Sequence, residues 1–287
     1  MENTINTAEC AASEWEAHHQ EILSKIQEFC LMDDIFMAVA LKNDLAAVEC
    51  ILQIILQDDQ IQVVEVIVQD VMPNLYGRGV RLDIHAIDKN GRHFNVEIQK
   101  AKEGVSPRRS RHNGAILDME NVPKGGDPGL LPETYVIFVC ERDPFGAGRP
   151  VYTVKKCIEE TGEAFDDGMN YVFFNASYLG DDDFGRLSKD LQEKDPQKMY
   201  FRPLANAAGR SKNDQEGVTQ MCRIMEDHRD ECIKRGLEQG LEQGLEQGQS
   251  NERKKVVQSL LKFMDPNTIA EKMGYPLEFI QKVAAET

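Results

Sequence analysis

Asp83, Glu97 and Gln99 are the residues of this chain whose types and spacing can do chemistry together. They sit in two runs of alternating polar and apolar residues, Val80 to Ile87 and Arg92 to Gln99, joined by Asp88-Lys89-Asn90-Gly91. A turn of this kind between alternating runs signals a β-hairpin. Side chains alternate across a strand. Arg81, Asp83 and His85 therefore share one face of the first strand, and His93, Asn95, Glu97 and Gln99 share one face of the second. The other faces (Val80, Leu82, Ile84 and Ala86; Phe94, Val96 and Ile98) are apolar and must meet a core. The register with the shortest turn sets Asp83 opposite Glu97, His85 opposite Asn95 and Arg81 opposite Gln99. Two carboxylates directly opposite repel and weaken a sheet. A bound divalent cation offsets that repulsion, and an all-oxygen donor set suits Mg²⁺ or Mn²⁺. The plain alternative is a solvated hairpin face with scattered charge. His85 and His93 flank the pair and are read as bystanders, because carboxylate-rich sites for these ions seldom recruit imidazole.

Elements that can hold such a hairpin are legible on both sides of it. From Glu21 to Leu56 apolar residues recur at three- and four-residue spacing, which predicts two helices. Lys42-Asn43-Asp44 is the turn between them, with Asn43 or Asp44 as N-cap. Ile61 to Val68 is dense in β-branched residues and predicts a strand, broken by Pro73-Asn74-Leu75-Tyr76-Gly77. After the hairpin comes a basic cluster of Lys100, Lys102, Arg108, Arg109 and Arg111, partly on a helix expected from Pro107 to Met119. Thr134 to Cys140 is nearly all apolar, the mark of a strand buried on both faces. Val151 to Val154 and Tyr171 to Asn175 predict further strands, and Asp181 to Leu191 an acidic helix.

The last third differs. Gly-Leu-Glu-Gln repeats three times from Gly236 to Gln247, which puts Leu237, Leu241 and Leu245 one helical turn apart. Each glycine costs a helix about 1 kcal/mol relative to alanine, so this is a weak helix or a flexible connector. The segment beyond it reads as helix, tight turn at Gly274-Tyr275-Pro276, helix. Its candidate recognition helix offers Glu278, Gln281 and Lys282, thin for phosphate contacts. A small cap or self-association unit, or a DNA-reading unit, are the readings left open. The organisation expected is a flexible arm over 1–20, a main domain over 21–210, a helical connector over 211–250 and a small helix-turn-helix-like unit over 251–287.

The formal net charge of −16 counts against a large basic nucleic-acid surface, so any such contact must be confined to a patch. Seven cysteines, widely spaced and without a C-x-x-C pair, indicate free thiols rather than a disulfide or zinc framework. The N-terminus has no apolar leader core, and no apolar run reaches the roughly 18–20 residues of a membrane span. The expected location is the cytoplasm, away from membranes.

The run V-R-L-D-I-H-A-I-D-K-N-G-R-H-F-N-V-E-I-Q resembles the D-x(n)-E-x-Q core of the PD-(D/E)XK nuclease family transposases. The stretch Glu133 to Tyr152 (E-T-Y-V-I-F-V-C-E-R-D-P-F-G-A-G-R-P-V-Y), the D-D-I-F-M segment at Asp33 to Met37 and the repeats near the end are similar to that family too, so the resemblance covers about residues 30–250. It implies an α/β restriction-endonuclease-like core, a mixed central sheet flanked by helices, with a helical C-terminal extension. It also implies Mg²⁺-dependent phosphodiester hydrolysis on DNA. Asp83 falls on the family's aspartate and Glu97 on its second acid, with the backbone carbonyl of Ile98 as a further metal ligand. Gln99 falls where most of the wider superfamily carries lysine; it can hydrogen-bond to a water but carries no charge. Arg109 and Arg111 are candidates for a phosphate contact, and Asp33 and Asp34 for an additional acid. Two functions follow: a metal-dependent DNA endonuclease tied to transposition or recombination, or a catalytically weak nuclease-fold module for DNA binding or assembly. The C-terminal helices are candidates for a homo-oligomer contact.

Overall fold

The computed structural model describes residues 20–72, 80–100, 106–122 and 125–285. The N-terminal arm expected over 1–20 lies outside them but for its last residue, as do the breaker at Pro73–Gly77 and Lys102. Three helices stand where periodicity over Glu21–Leu56 predicts two: α1 (residues 20–28), α2 (Asp34–Ala40) and α3 (Leu45–Leu56). The additional break falls at residues 29–33. There the Asp33 carboxylate accepts from the Cys30 amide at 2.8 Å, and the Met32 amide donates at 3.0 Å to the distant Leu191 carbonyl. Apolar spacing carries no sign of a side chain that competes for backbone hydrogen bonds. Asp44, one of the two expected caps, is the N-cap of α3 and accepts from the Ala47 amide at 3.0 Å.

Six strands form one sheet: β1 (Val63–Met72), β2 (Val80–Asp88), β3 (His93–Gln99), β4 (Thr134–Cys140), β5 (Val151–Val154) and β6 (Met169–Asn175), in the order β1-β2-β3-β4-β6-β5. β3, β4 and β6 run parallel to one another, and the remaining pairs are antiparallel. The apolar face of the hairpin behaves as alternation requires. Ile84, Ala86, Phe94, Val96 and Ile98 join Ile137, Val139, Val172 and Phe174 in the main core. That core also takes residues from α2, α3, α5 (Asp183–Gln192) and α6 (Arg202–Asn213).

The opposite face is covered by α4 (Pro107–Asn121), whose Ile116 and Leu117 pack on Val136, Phe138, Cys140 and Phe173. At Gly114 the end of the Met169 side chain packs against the helix: a Cβ there would stand 2.9 Å from both its Sδ and Cε. A helix held so close to the sheet can reach the polar half of the hairpin with side chains from its first turn.

The chain divides into two compact units, Met1–Met225 and Glu226–Thr287. α7 (Gln215–Leu260) is a single helix that runs through all three Gly-Leu-Glu-Gln repeats, so the helical alternative holds there. Leu237, Leu241 and Leu245 stand exposed along it. Beyond it α8 (Pro266–Met273) and α9 (Leu277–Ala285) bury Ile269, Ile280 and Val283 with Val257 of α7. Asp265 caps α8 by accepting from the Asn267 and Thr268 amides.

Candidate active site

The β2–β3 ladder pairs His85 with Asn95, as the shortest turn requires, and ends at Ile84 and Val96. Asp83 and Glu97 come one step further along the same register, where the strands part; the expected pairing of Arg81 with Gln99 is not made. On its other edge Arg81 keeps its pairing with Val71 of β1. The physical reason lies in Asp83 itself, whose Oδ2 accepts from the Ile98 amide at 2.9 Å. The carboxylate thus takes the place of a backbone partner and holds the strands open. In an extended strand the N–H and C=O of one residue face the same edge. The Ile98 carbonyl therefore shares the opened edge with Asp83.

Glu97 is fully buried. Its Oε1 accepts from Asn95 Nδ2 at 3.0 Å, and its Oε2 forms an ion pair with Arg109 Nη2 at 3.0 Å. Arg109, half-exposed on the first turns of α4, also donates through Nη1 to Gln99 Oε1 at 3.4 Å. Asn113, one helical turn further on, donates to Asn95 Oδ1 at 3.4 Å. The resulting chain, Asn113 to Asn95 to Glu97, fixes the orientation of the acid from behind. Burial, and next the Asp83 charge, push the Glu97 carboxyl up to about 7. Hydrogen bonds from Asn95 and the Asp83 backbone, and the Arg109 charge, act in the opposite sense but do not win. The acid therefore keeps its proton to higher pH than an ordinary carboxyl, and either an approaching cation or a rise in pH removes it.

The other residues singled out from sequence are placed differently. Asp33 accepts from the Cys30 amide in the turn between α1 and α2 and forms an ion pair with Lys100. Those contacts hold it below the usual carboxylate range, although burial opposes them. Among the described residues no group of three or more His, Cys, Asp or Glu side chains stands close enough to share a metal ion, so neither Asp33 nor Asp34 completes a triad with the acidic pair. Lys100, adjacent in sequence to Gln99, is engaged by Asp33 rather than by the acids. Arg111 is exposed, and two residues along a helix turn it about 200° away from Arg109. His85 and His93 bond to each other at 3.0 Å. Burial, then the His85 charge, depress His93 to about 4 and keep it neutral at physiological pH. Asn113 escaped the sequence reading altogether, and Asn95 was given no role there. The one available signal for Asn95 was its position between His93 and Glu97 on the polar face.

The residues fit a divalent metal ion. Two carboxylates and a strand carbonyl meet on one opened edge, all donors are oxygen, and the penalty on Glu97 comes largely from unscreened burial and a neighbouring negative charge. A hard cation relieves both. Three such donors would leave room for the several waters that Mg²⁺ keeps.

A mixed six-stranded sheet flanked by helices, with an acidic pair where two of its strands part, is a PD-(D/E)XK nuclease-like α/β fold. Residues 45–182 match the family model of the PD-(D/E)XK nuclease family transposases. The match runs from α3 past β6 and contains the whole sheet, α4 and the acidic pair. It leaves out the Asp33–Met37 segment and the C-terminal repeats. No curated protein and no solved structure matches the chain. No helix among the described residues is long and apolar enough to cross a membrane.

Proposed function

We propose that the chain is a divalent-metal-dependent DNA endonuclease that hydrolyses phosphodiester bonds in transposition or recombination, working in the cytoplasm. The observation that carries this reading is the buried Glu97 beside Asp83 on the edge where β2 and β3 separate. Asp83, Glu97 and the Ile98 carbonyl would hold Mg²⁺ or Mn²⁺. When bound, the ion would lower the pKa of a coordinated water and neutralise charge developing on the phosphate. The chain's own residues do the rest. Asp83 keeps the edge open through the Ile98 amide. Asn95 and Asn113 fix Glu97. Gln99 orients the attacking water by hydrogen bonding. Arg109 stands within reach of both Glu97 and Gln99, and once Glu97 has another counter-charge its guanidinium is available to a phosphate oxygen. The first turn of α4, which bears Arg108 and Arg109, adds the positive end of a helix to the same edge. The C-terminal helices, with their exposed leucines, are the surface for self-association.

The test is conversion of supercoiled plasmid to nicked circles in Mg²⁺ or Mn²⁺ by the wild type, Asp83→Ala and Glu97→Ala. Wild-type nicking that both substitutions abolish, with circular dichroism unchanged, is the expected result; intact plasmid under every metal and pH condition refutes it. A second reading is favoured by one observation: position 99 carries no cation, and the adjacent Lys100 is held by Asp33. On that reading the fold binds DNA or assembles without turnover, and the wild type would bind DNA and metal yet leave plasmid uncut.

A further inference from the structure

The loop between β4 and β5 (residues 141–150) belongs to no part of the acidic site, yet it leaves the sheet beside it. Cys140, where β4 ends, lies in register with Gln99, and the Glu141 amide donates to the Gln99 carbonyl at 3.0 Å. The loop is built as a fixed object. Asp143 Oδ1 accepts from the Phe145 and Gly146 amides at 3.0 and 2.9 Å and from Tyr152 Oη at 2.7 Å, while its Oδ2 accepts from the Gly148 amide at 2.7 Å. Tyr152 Oη accepts in turn from the Ala147 and Arg149 amides at 3.2 and 3.1 Å. Every amide from Phe145 to Arg149 is therefore held by two side chains.

What this scaffold presents is a ring. Phe145 is 52 % exposed, and edge-to-face contacts with Tyr152 (4.9 Å) and Phe173 (5.2 Å) fix its orientation. A single exposed ring is common on a protein surface; Phe145 differs in that its loop is pinned and its orientation fixed by two ring contacts. The ring also lies on the catalytic side of the sheet. Glu97 is in register with Phe138, and Phe138 with Phe173, and the ring of Phe145 rests on that of Phe173. Two strand spacings of about 4.8 Å each and one ring contact set it roughly 15 Å from Glu97. Arg142 and Arg149, both exposed, flank Phe145 on the loop; Glu141 and Asp143 balance them in formal charge, but Asp143 is turned inward onto the loop amides, so two guanidinium groups remain at the surface beside the ring.

We propose that Phe145 is a base-stacking platform that takes an unstacked nucleobase of the DNA strand whose backbone enters the acidic site, with Arg142 and Arg149 holding the adjoining phosphates. This rests on DNA being the substrate. Rigid presentation matters because stacking on a ring already oriented costs little further ordering, and stacking tolerates any base. The site therefore adds affinity and strand positioning without reading sequence.

The test uses the full chain and a fluorescein-labelled single-stranded oligonucleotide carrying 2-aminopurine, with Ca²⁺ in place of Mg²⁺, read by anisotropy and by 2-aminopurine emission. Phe145→Ala is expected to weaken binding by about 5- to 150-fold, the range for one base–aromatic stack, and to lose the 2-aminopurine quenching. Phe145→Trp is expected to retain both within about threefold, since any flat ring can stack. Near-UV circular dichroism checks that the loop is intact, and Asp143→Ala, which unpins it, is expected to fall between the two. Wild-type binding that Phe145→Ala leaves unchanged overturns the platform alone. Wild type that binds no DNA at all overturns the platform and the DNA reading together. DNA binding that depends on Phe145, with no plasmid nicking, upholds the platform while the catalytic reading fails.

Discussion

Replacing Glu97 with glutamine should stabilise the metal-free protein, and only on the alkaline side. The buried carboxyl ionises at about 7 instead of 4.5. Below pH 4.5 both the folded and the unfolded chain hold the proton. As pH rises from 4.5 to 7 the unfolded chain releases it while the folded chain keeps it, so folding stability falls; above 7 the loss is complete. A shift of about 2.5 pH units at roughly 1.4 kcal/mol each amounts to about 3 kcal/mol. Glutamine keeps an acceptor for Arg109 and Asn95 but forfeits the ion pair. The Arg109 pair is already counted in the net rise to about 7, in which desolvation wins, so its loss is not subtracted again. Glu97→Gln should then gain roughly 2–3 kcal/mol over wild type at pH 8 and almost nothing at pH 4.5. The assay is urea denaturation in EDTA at a series of pH values, followed by near-UV circular dichroism of tyrosine. Six of the seven tyrosines fall within the unit Met1–Met225, so the signal reports on the unit that holds the site. A difference between variant and wild type that does not change with pH, or that favours wild type at pH 8, would refute the argument that Glu97 is buried at a cost.

Arg109→Ala removes one of the influences that lower Glu97, so the pH at which Mn²⁺ binds half-maximally in calorimetry should move upward; an unchanged midpoint would count against the ion pair. Gln99→Lys adds a cation on the same face and should move that midpoint down. Gly114→Val must displace Met169 or lift α4, since even a Cβ would stand 2.9 Å from its sulfur; a loss of about 1–3 kcal/mol is expected for such overpacking, together with weaker metal binding because Arg109 and Asn113 ride on that helix. His93 has its ionisation depressed from 6.5 to about 4, so wild type should lose stability as pH falls between those values, and His93→Asn should be flatter over the same range in paired urea titrations.

The hairpin was legible because its chemistry is local. Period-two alternation put Asp83 and Glu97 on one face, the Asp88–Gly91 turn set the register, and β-branched runs marked the strands around it. These properties act between neighbours in the chain, and the resemblance over the same residues led to the fold. Sequence could not show that the ladder stops at Ile84 and Val96, because the Asp83 bond to the Ile98 amide competes with a pairing that alternation alone predicts. Nor could it show that Arg109 rather than Arg111 meets the acids, or that Lys100 is spent on Asp33. Helix phase and packing depth decide those contacts. The ionisation of Glu97 was least accessible of all. It depends on how completely α4 and the sheet exclude water from one carboxylate, and on a second carboxylate fourteen residues away in the chain. Sequence supplied the acids and their common face; the tertiary structure parted the strands, buried one acid and brought up its arginine.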